Sequence, residues 1–418
     1  MINHYLCTLT IPLLTMITTE QATRIVLNHT LSLPTESAPL TEVLGRVLQE
    51  PIVADRDFPP FSRITMDGIA YRYDALPPDR TLPVAGVQRA GEPQQTLNNA
   101  NHCLEVMTGS ILPQGADTVV RYEDVVFTEA AGQRVATLQV VPSKAGHNVH
   151  AQGLDQRQGD VLVEKGTTLT ASEIAVAASV GQAQLTVSQL PSIGILSTGD
   201  ELVDVDTIPE IYQIRKSNTF ALHAALLNLG ISATRYHLPD TEAETQEGIA
   251  LALEQHDVLI LSGGVSKGKH DYVPEALAAA GVEKLFHRVQ QRPGKPFWFG
   301  RHATGKVVFA LPGNPVSTFM CFYRYVRPWL VKSTGAYQPP ALKAVLSEDV
   351  AFAPDLTYFL NVRVDTSEDG QLIATPQAGH GSGDFTNLTR CHGFLELPAD
   401  RSQFNPGEVF PLHLFRPL

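Results

Sequence analysis

Residues 257–280 read DVLILSGGVSKGKHDYVPEALAAA, and the fold follows from how they are read. The apolar or small residues 258–262 make a buried strand. Gly263 and Gly264 let the backbone turn sharply and approach a ligand with no Cβ in the way. A helix then begins near Tyr272, with Pro274 tolerated in its first turn and Gly281 placed to end it. Strand, glycine loop and helix start together turn backbone N–H groups and the positive end of a helix towards an anion beyond the strand's carboxyl end. The spacing from Gly263 to Gly268 and Lys269 approaches a nucleotide-triphosphatase loop, but His270 stands where the magnesium-holding hydroxyl belongs, which excludes that reading. What remains is a loop with Ser262, Ser266, Lys267 and Lys269 as donors and Asp271 as a carboxylate. It is able to hold an anion and a divalent cation; an ordinary solvated loop is the competing reading.

On both sides of this stretch, strands and helices alternate. Strands are expected at 193–196, 234–238 and 307–311, with helices from Ser217 to Leu229, over 242–255 and from Val316. Ser217 is expected to cap its helix and Gly230 to stop it. Such alternation predicts a doubly wound α/β sheet whose ligands gather at the carboxyl ends of the strands. Three loops fall there: 197–201 (STGDE), the central glycine loop and 311–315 (LPGNP). Next to them, residues 287–295 (HRVQQRPGK) carry Arg292 and Lys295 in a segment stiffened by Pro293 and Pro296, suited to an oxyanion. Phe297, Trp298 and Phe299 anchor it to the body of the protein.

At 418 residues the chain exceeds one ordinary core, so two to four domains are expected. A formal net charge of -12 disfavours nucleic acid as a partner, because no excess of Lys and Arg exists to displace phosphate counterions. Cys7, Cys103, Cys321 and Cys391 form no CxxC pair, which suits the cytoplasm and argues against a disulfide framework. Residues 5–17 have the apolarity of a signal-peptide core, but Pro12 interrupts them, the start is not basic, and they are too short to cross a membrane. Met16 is an alternative start to Met1.

The flanking regions have a different texture. Thr18 and Gln21 make a capping box for a first helix, and Leu40, Val43, Leu44 and Val47 predict a second one after Pro39. Short Val/Thr runs between about 56 and 147 predict a β-rich unit carrying Met66-Asp67-Gly68 and the loop 106–109. A further helix follows Thr170, with Glu173 as the other half of a capping box. His147 and His150 have a metal-compatible spacing, but a polar surface turn accounts for them better. Beyond residue 339 short strands return, predicting a small barrel or sandwich; its loop 379–384 (GHGSGD) reads as a hairpin unless it faces a neighbour.

The ordered set MDG (66–68), MTG (107–109), STGDEL (197–202), SGGVSKGKHDY (262–272), RPGKPFWFG (292–300) and LPGNPVS (311–317) resembles the MoeA family of molybdopterin molybdenumtransferases, seen also in the E domain of gephyrin. The resemblance implies a multidomain α/β and β fold: an elongated linker domain (16–55 with 148–187), an inserted β-rich domain (56–147), a molybdopterin-binding doubly wound α/β domain (188–336) and a C-terminal β-barrel (337–418). It implies a homodimer with a shared active site, a molybdopterin adenylyltransferase as partner, no membrane, and insertion of molybdate into adenylylated molybdopterin with release of AMP and help from Mg2+. A non-catalytic molybdopterin-binding scaffold and the preceding adenylyl transfer are the alternatives.

By the same resemblance Asp67 and Asp271 hold the metal, Lys295 helped by Arg292 attracts molybdate, and Glu173 supplies a proton if burial raises its pKa. Ser262, Gly263, Gly264, Ser266, Pro312, Gly313 and Asn314 match the pterin-phosphate pocket, Thr108 matches a polar position at the substrate, and Pro293 and Pro296 flank the lysine loop. Two departures stand out. Lys216 replaces an expected acid in IRKSN, and 146–155 lack arginines that many members carry.

Overall fold

The computed structural model describes residues 16–130, 132–265 and 272–418. Its centre is a six-stranded sheet in the order Ala233–Leu238, Ile193–Thr198, Val258–Ser262, Val307–Leu311, Trp298–His302 and Val282–His287. The first four strands are parallel, Trp298–His302 runs against them, and the edge strand Val282–His287, antiparallel to Trp298–His302, runs with them again. The three central parallel strands are buried at every residue, as strands covered on both faces must be. Side chains alternate between those faces: Val258 and Ile260 join the core that includes Leu222, Leu226 and Trp329, while Leu259 and Leu261 join that of Ile249, Leu253 and Leu277. Helices therefore cover both faces, and the sheet is doubly wound as the alternation in the sequence requires. The aromatic run after the basic segment is itself the strand Trp298–His302, with Phe297, Trp298 and Phe299 buried.

A second six-stranded sheet holds Thr118–Arg121, Gly68–Tyr71, Cys103–Val106, Thr81–Gln88, Gln133–Leu138 and Val125–Ala130 in that order. The chain on either side of it pairs with itself, Thr35–Pro39 with Gln184–Ser188 and Ile52–Val53 with Val161–Val163. Near the carboxyl end, Thr357–Thr366, Leu372–Pro376, Lys343–Leu346, Val409–Leu414 and Gly393–Leu397 close on themselves as a five-stranded barrel.

Two expectations are corrected. The pattern at Leu40, Val43, Leu44 and Val47 does not form an α-helix: a 3-10 turn spans Leu40–Glu42 and the chain then extends. Gly45 adopts φ +77°, which ends the turn, and Val47 and Leu48 bridge to Thr168 and Val187, so sheet pairing overrides the local periodicity. Val43 is buried while Leu44 is 68% exposed. Ser217 is not a cap; it is the first residue of the helix Ser217–Leu227, and the capping position belongs to Lys216.

Candidate active site

The three expected loops meet at the carboxyl ends of the parallel strands. Gly263 N–H donates to the Leu311 carbonyl at 3.1 Å, tying the glycine loop to the LPGNP loop. The Asn218 side-chain amide donates to Ser262 Oγ at 2.9 Å and to the Gly313 carbonyl at 2.7 Å, which locks a helix start to both loops. A Cβ on Gly264, whose φ is +70°, would lie 2.4 Å from Val273 Cγ2, so only glycine lets the loop turn into the helix Val273–Ala279. Together these loops line a cavity of about 480 Å³ with Thr198, Lys216, Ser262, Gly264, Gly313 and Asn314 on its wall. Asn218 has no motif signal of its own, since its role depends on two loops distant in the chain.

A second cavity of about 870 Å³ adjoins the first, and Pro296, Pro312 and Asn314 line both. Arg292, Pro293 and Lys295 form one wall. The Arg292–Pro293 bond is cis, and buried Gln291 holds the loop by donating to the Gly294 carbonyl at 2.9 Å while accepting from the Tyr325 hydroxyl at 2.6 Å. The opposite wall comes from the barrel region and includes residues 379–382. The GHGSGD loop is thus no hairpin but faces a neighbour: Asn314 Nδ2 donates to Ser382 Oγ at 2.8 Å, and Val316 N–H to the Ser382 carbonyl at 3.1 Å.

Asp67 and Thr108 lie elsewhere, beside the second sheet, and line neither cavity. Thr108 N–H donates to Asp67 Oδ1 at 2.5 Å, and this bond, with one from the Thr108 hydroxyl, holds the Asp67 carboxyl below its usual range. An ionised carboxylate is a donor that a divalent cation accepts. Ser266 and Asp271 fall outside the described residues; among the described residues no cluster of three His, Cys, Asp or Glu gathers for a metal. His147 lies in an exposed turn, as expected, while His150 belongs to the short strand Val149–His150 and contacts Asp155 at 2.9 Å.

Glu173 also lines neither cavity, and burial does not raise its pKa, the condition on which its expected proton-donor role rests. It accepts from Thr170 N–H at 2.7 Å, from the Thr170 hydroxyl and from the Ser172 hydroxyl at 2.9 Å, completing the capping box of the helix Ala171–Ser179. The Thr170 hydroxyl first and its backbone N–H second hold the carboxyl down at about 2, opposite to what a general acid needs. Glu173→Gln is therefore expected to leave both limbs of the pH–rate profile in place between about pH 5 and 9, whatever it does to the rate, and to cost less than about 1 kcal/mol, because glutamine still completes the capping box and only the negative charge at the helix start is lost. A limb displaced by a full pH unit in the variant would restore the proton-donor role.

Three family descriptions match successive parts of the chain: the MoeA N-terminal region (domain I and II) over residues 17–181, a probable molybdopterin binding domain over 194–332, and the MoeA C-terminal region (domain IV) over 343–415. A molybdopterin molybdenumtransferase of Synechocystis sp. is 37% identical over 401 residues, spanning 95% of this chain and 100% of that protein. One from Haemophilus influenzae is 32% identical over 415 residues, 96% of this chain and 100% of its own. The crystal structure of the molybdopterin biosynthesis moeA protein from Pyrococcus horikoshii OT3 superposes with a TM-score of 0.80 at 28% identity, covering 96% of this chain and 100% of that one. Motif order, site geometry and whole-length likeness thus converge, and the chain belongs to the MoeA family of molybdopterin molybdenumtransferases.

Proposed function

We propose that this chain completes the molybdenum cofactor: it takes adenylylated molybdopterin and molybdate, releases AMP, and leaves molybdenum on the dithiolene. The observation that carries this reading is the junction of two cavities, one walled by a glycine loop and a helix start, the other by Arg292 and Lys295, with Pro296, Pro312 and Asn314 shared between them. The first suits the phosphate-bearing pterin, with Ser262, Gly263, Gly264, Gly313 and Asn314 around it and Ser266 expected beside them. The second suits the molybdate dianion, held by Lys295 and Arg292 between Pro293 and Pro296. The substrates' reacting groups can then meet where the walls join. Each dithiolene sulfur displaces an oxygen from molybdate, and that oxygen leaves as water once protonated.

Asp67 and Thr108 belong to the same site in this reading, although within one chain they line neither cavity. A homodimer, with the β-rich unit of one copy facing the α/β unit of the other, supplies them. The domain limits 16–55 with 148–187, 56–147, 188–336 and 337–418 give that arrangement its parts. Asp67 and Asp271 would hold Mg2+, whose charge would ease attack by water on the phosphoanhydride, with AMP as the leaving group. A molybdopterin adenylyltransferase is the partner whose product this chain consumes, and the cytoplasm is the compartment proposed. No helix among the described residues is long and apolar enough to cross a membrane.

The test supplies the purified protein with adenylylated molybdopterin, molybdate and Mg2+. AMP and active cofactor are expected in equal amounts, with Asp271→Asn slower by about 100-fold. Binding without AMP release would favour the non-catalytic scaffold, and AMP formation at the parent rate by Asp271→Asn would end the assigned role of that residue. Mixing Asp67→Asn with Lys295→Gln, each inactive alone, is expected to recover about a quarter of the parent activity through mixed dimers. No recovery would remove the shared site.

A further inference from the structure

Lys216 stands where local rules disfavour it. It occupies the capping position of the eleven-residue helix Ser217–Leu227 and makes no side-chain cap bond. Helix caps are ordinarily hydrogen-bond acceptors, and an ammonium beside the positive end of a helix costs about 0.3–1 kcal/mol. The side chain is nevertheless tucked in, 13% exposed, while its partner Asp204 is 69% exposed. Nζ reaches Asp204 Oδ1 at 3.1 Å, and Lys216 N–H donates to the Val203 carbonyl at 3.0 Å, which fixes the backbone. The same residue lines the 480 Å³ cavity together with Ser217 and Asn218 from the helix start. Neighbouring Arg215 turns its guanidinium to the Thr207 carbonyl, with Nε at 3.1 Å.

A cation and a helix start on one cavity wall both call for negative charge. Glu201 and Asp240 line the same cavity, and Asp204, the carboxylate that Nζ reaches, is mostly in water, where solvent screens the pair. A phosphate within the cavity meets that need better, accepting charge-assisted hydrogen bonds away from bulk water. Proteins that otherwise follow local preference break it at functional positions.

We infer that Lys216 contacts the phosphate of the pterin ligand and sets the affinity of this chain for it, with Asp204 holding the ammonium only until the ligand arrives. The inference rests on the pterin reading of the first cavity and deepens it. Its distinctive consequence is that the two members of one ion pair act on binding with opposite sign, which a structural salt bridge would not do.

The experiment measures equilibrium binding of adenylylated molybdopterin, and separately of molybdate, to the full chain at two salt concentrations. Lys216→Met is expected to raise Kd for the pterin compound by about tenfold or more and to weaken its salt dependence, while Lys216→Arg stays within about threefold of the parent. Asp204→Asn is expected to tighten pterin binding by about twofold, because the competing carboxylate is gone. Molybdate affinity is expected to be unchanged in every variant. If the parent binds and Lys216→Met binds equally well, or Asp204→Asn fails to tighten binding, the role of Lys216 is overturned while the pterin site stands. If the parent itself does not bind the pterin compound, the pterin site and this inference fall together. Should Lys216→Met not fold, the exposed Asp204→Asn change decides alone.

Discussion

Gly264→Ala is expected to reduce AMP release by about 100-fold or more and to destabilise the protein by about 3 kcal/mol, because a misplaced cavity wall and an overpacked core act together. Gly264 holds φ +70°, a conformation that costs an alanine about 1–2 kcal/mol by itself. The added methyl would also lie 2.4 Å from Val273 Cγ2 and 3.0 Å from Thr198 Oγ1. Val273 is buried at the first turn of the helix Val273–Ala279, so relief requires the helix start to move rather than a side chain to swing. That movement displaces the wall of the 480 Å³ cavity. Gly407→Ala separates the two causes: its φ is +88° but nothing lies within 4 Å of the added Cβ. It should lose about 1–2 kcal/mol and keep parent activity. Urea unfolding and AMP release on both variants check this, and an active Gly264→Ala protein would show that the turn does not shape the site.

Glu396→Ala is expected to destabilise the protein by about 3–5 kcal/mol at neutral pH, since it strands a buried guanidinium. Arg324, on the π-helical turn Phe322–Val326, donates from Nε to Glu396 Oε2 at 2.9 Å and from Nη2 to Oε1 at 3.2 Å. His413 contacts the same Oε2 at 2.6 Å, and the three side chains are 13%, 12% and 18% exposed in the order Arg324, Glu396, His413. The cluster clasps the barrel to the α/β unit, whose junction also forms the second cavity. Burial by itself would raise the Glu396 carboxyl, but the His413 hydrogen bond and the Arg324 charge outweigh it and bring it down to about 2. Burial lowers His413 as well, and the Arg324 charge adds to that, against the hydrogen bond to Glu396.

The two shifts have the same consequence in acid. The lowered carboxyl stabilises the fold fully above its ordinary value of 4.5, and that contribution, roughly 3 kcal/mol, is lost as pH falls towards 2. A buried neutral histidine adds stability that is present above 6.5 and is lost as pH drops below it towards the lowered folded value. Stability measured by urea unfolding should begin to decline below about pH 6.5 and fall more steeply below about 4.5, with the steep part shallower in Glu396→Ala, where the other lowered carboxyls, Glu173 among them, still contribute. A variant as stable as the parent at pH 7 would remove the clasp.

The glycine loop shows why so much of the core was legible. A run of apolar residues, a φ that only glycine adopts cheaply and a proline inside a first helical turn are properties of neighbouring residues, so 257–265 announced strand and turn, and 272–281 announced the helix behind them. The same local code marked Thr170 and Glu173 as a capping box, and the structure forms that box, whose hydrogen bonds hold the carboxyl low. Where the local code met a stronger partner it failed: the periodic residues after Pro39 were drawn into bridges with Thr168 and Val187 instead of completing a helix.

What the sequence by itself determined is therefore the alternating strands and helices of the doubly wound sheet, the family and the loops that line the two cavities, because each is carried by adjacent residues and their spacing. Only the tertiary structure decided that Asn218 binds two loops at once, that Ser382 closes the second cavity against Asn314, that Lys216 lines the first, and that Asp67 lines neither. Those facts depend on which distant segments meet across a packed core, and on the charge and burial that the meeting imposes, none of which a residue's immediate neighbours specify.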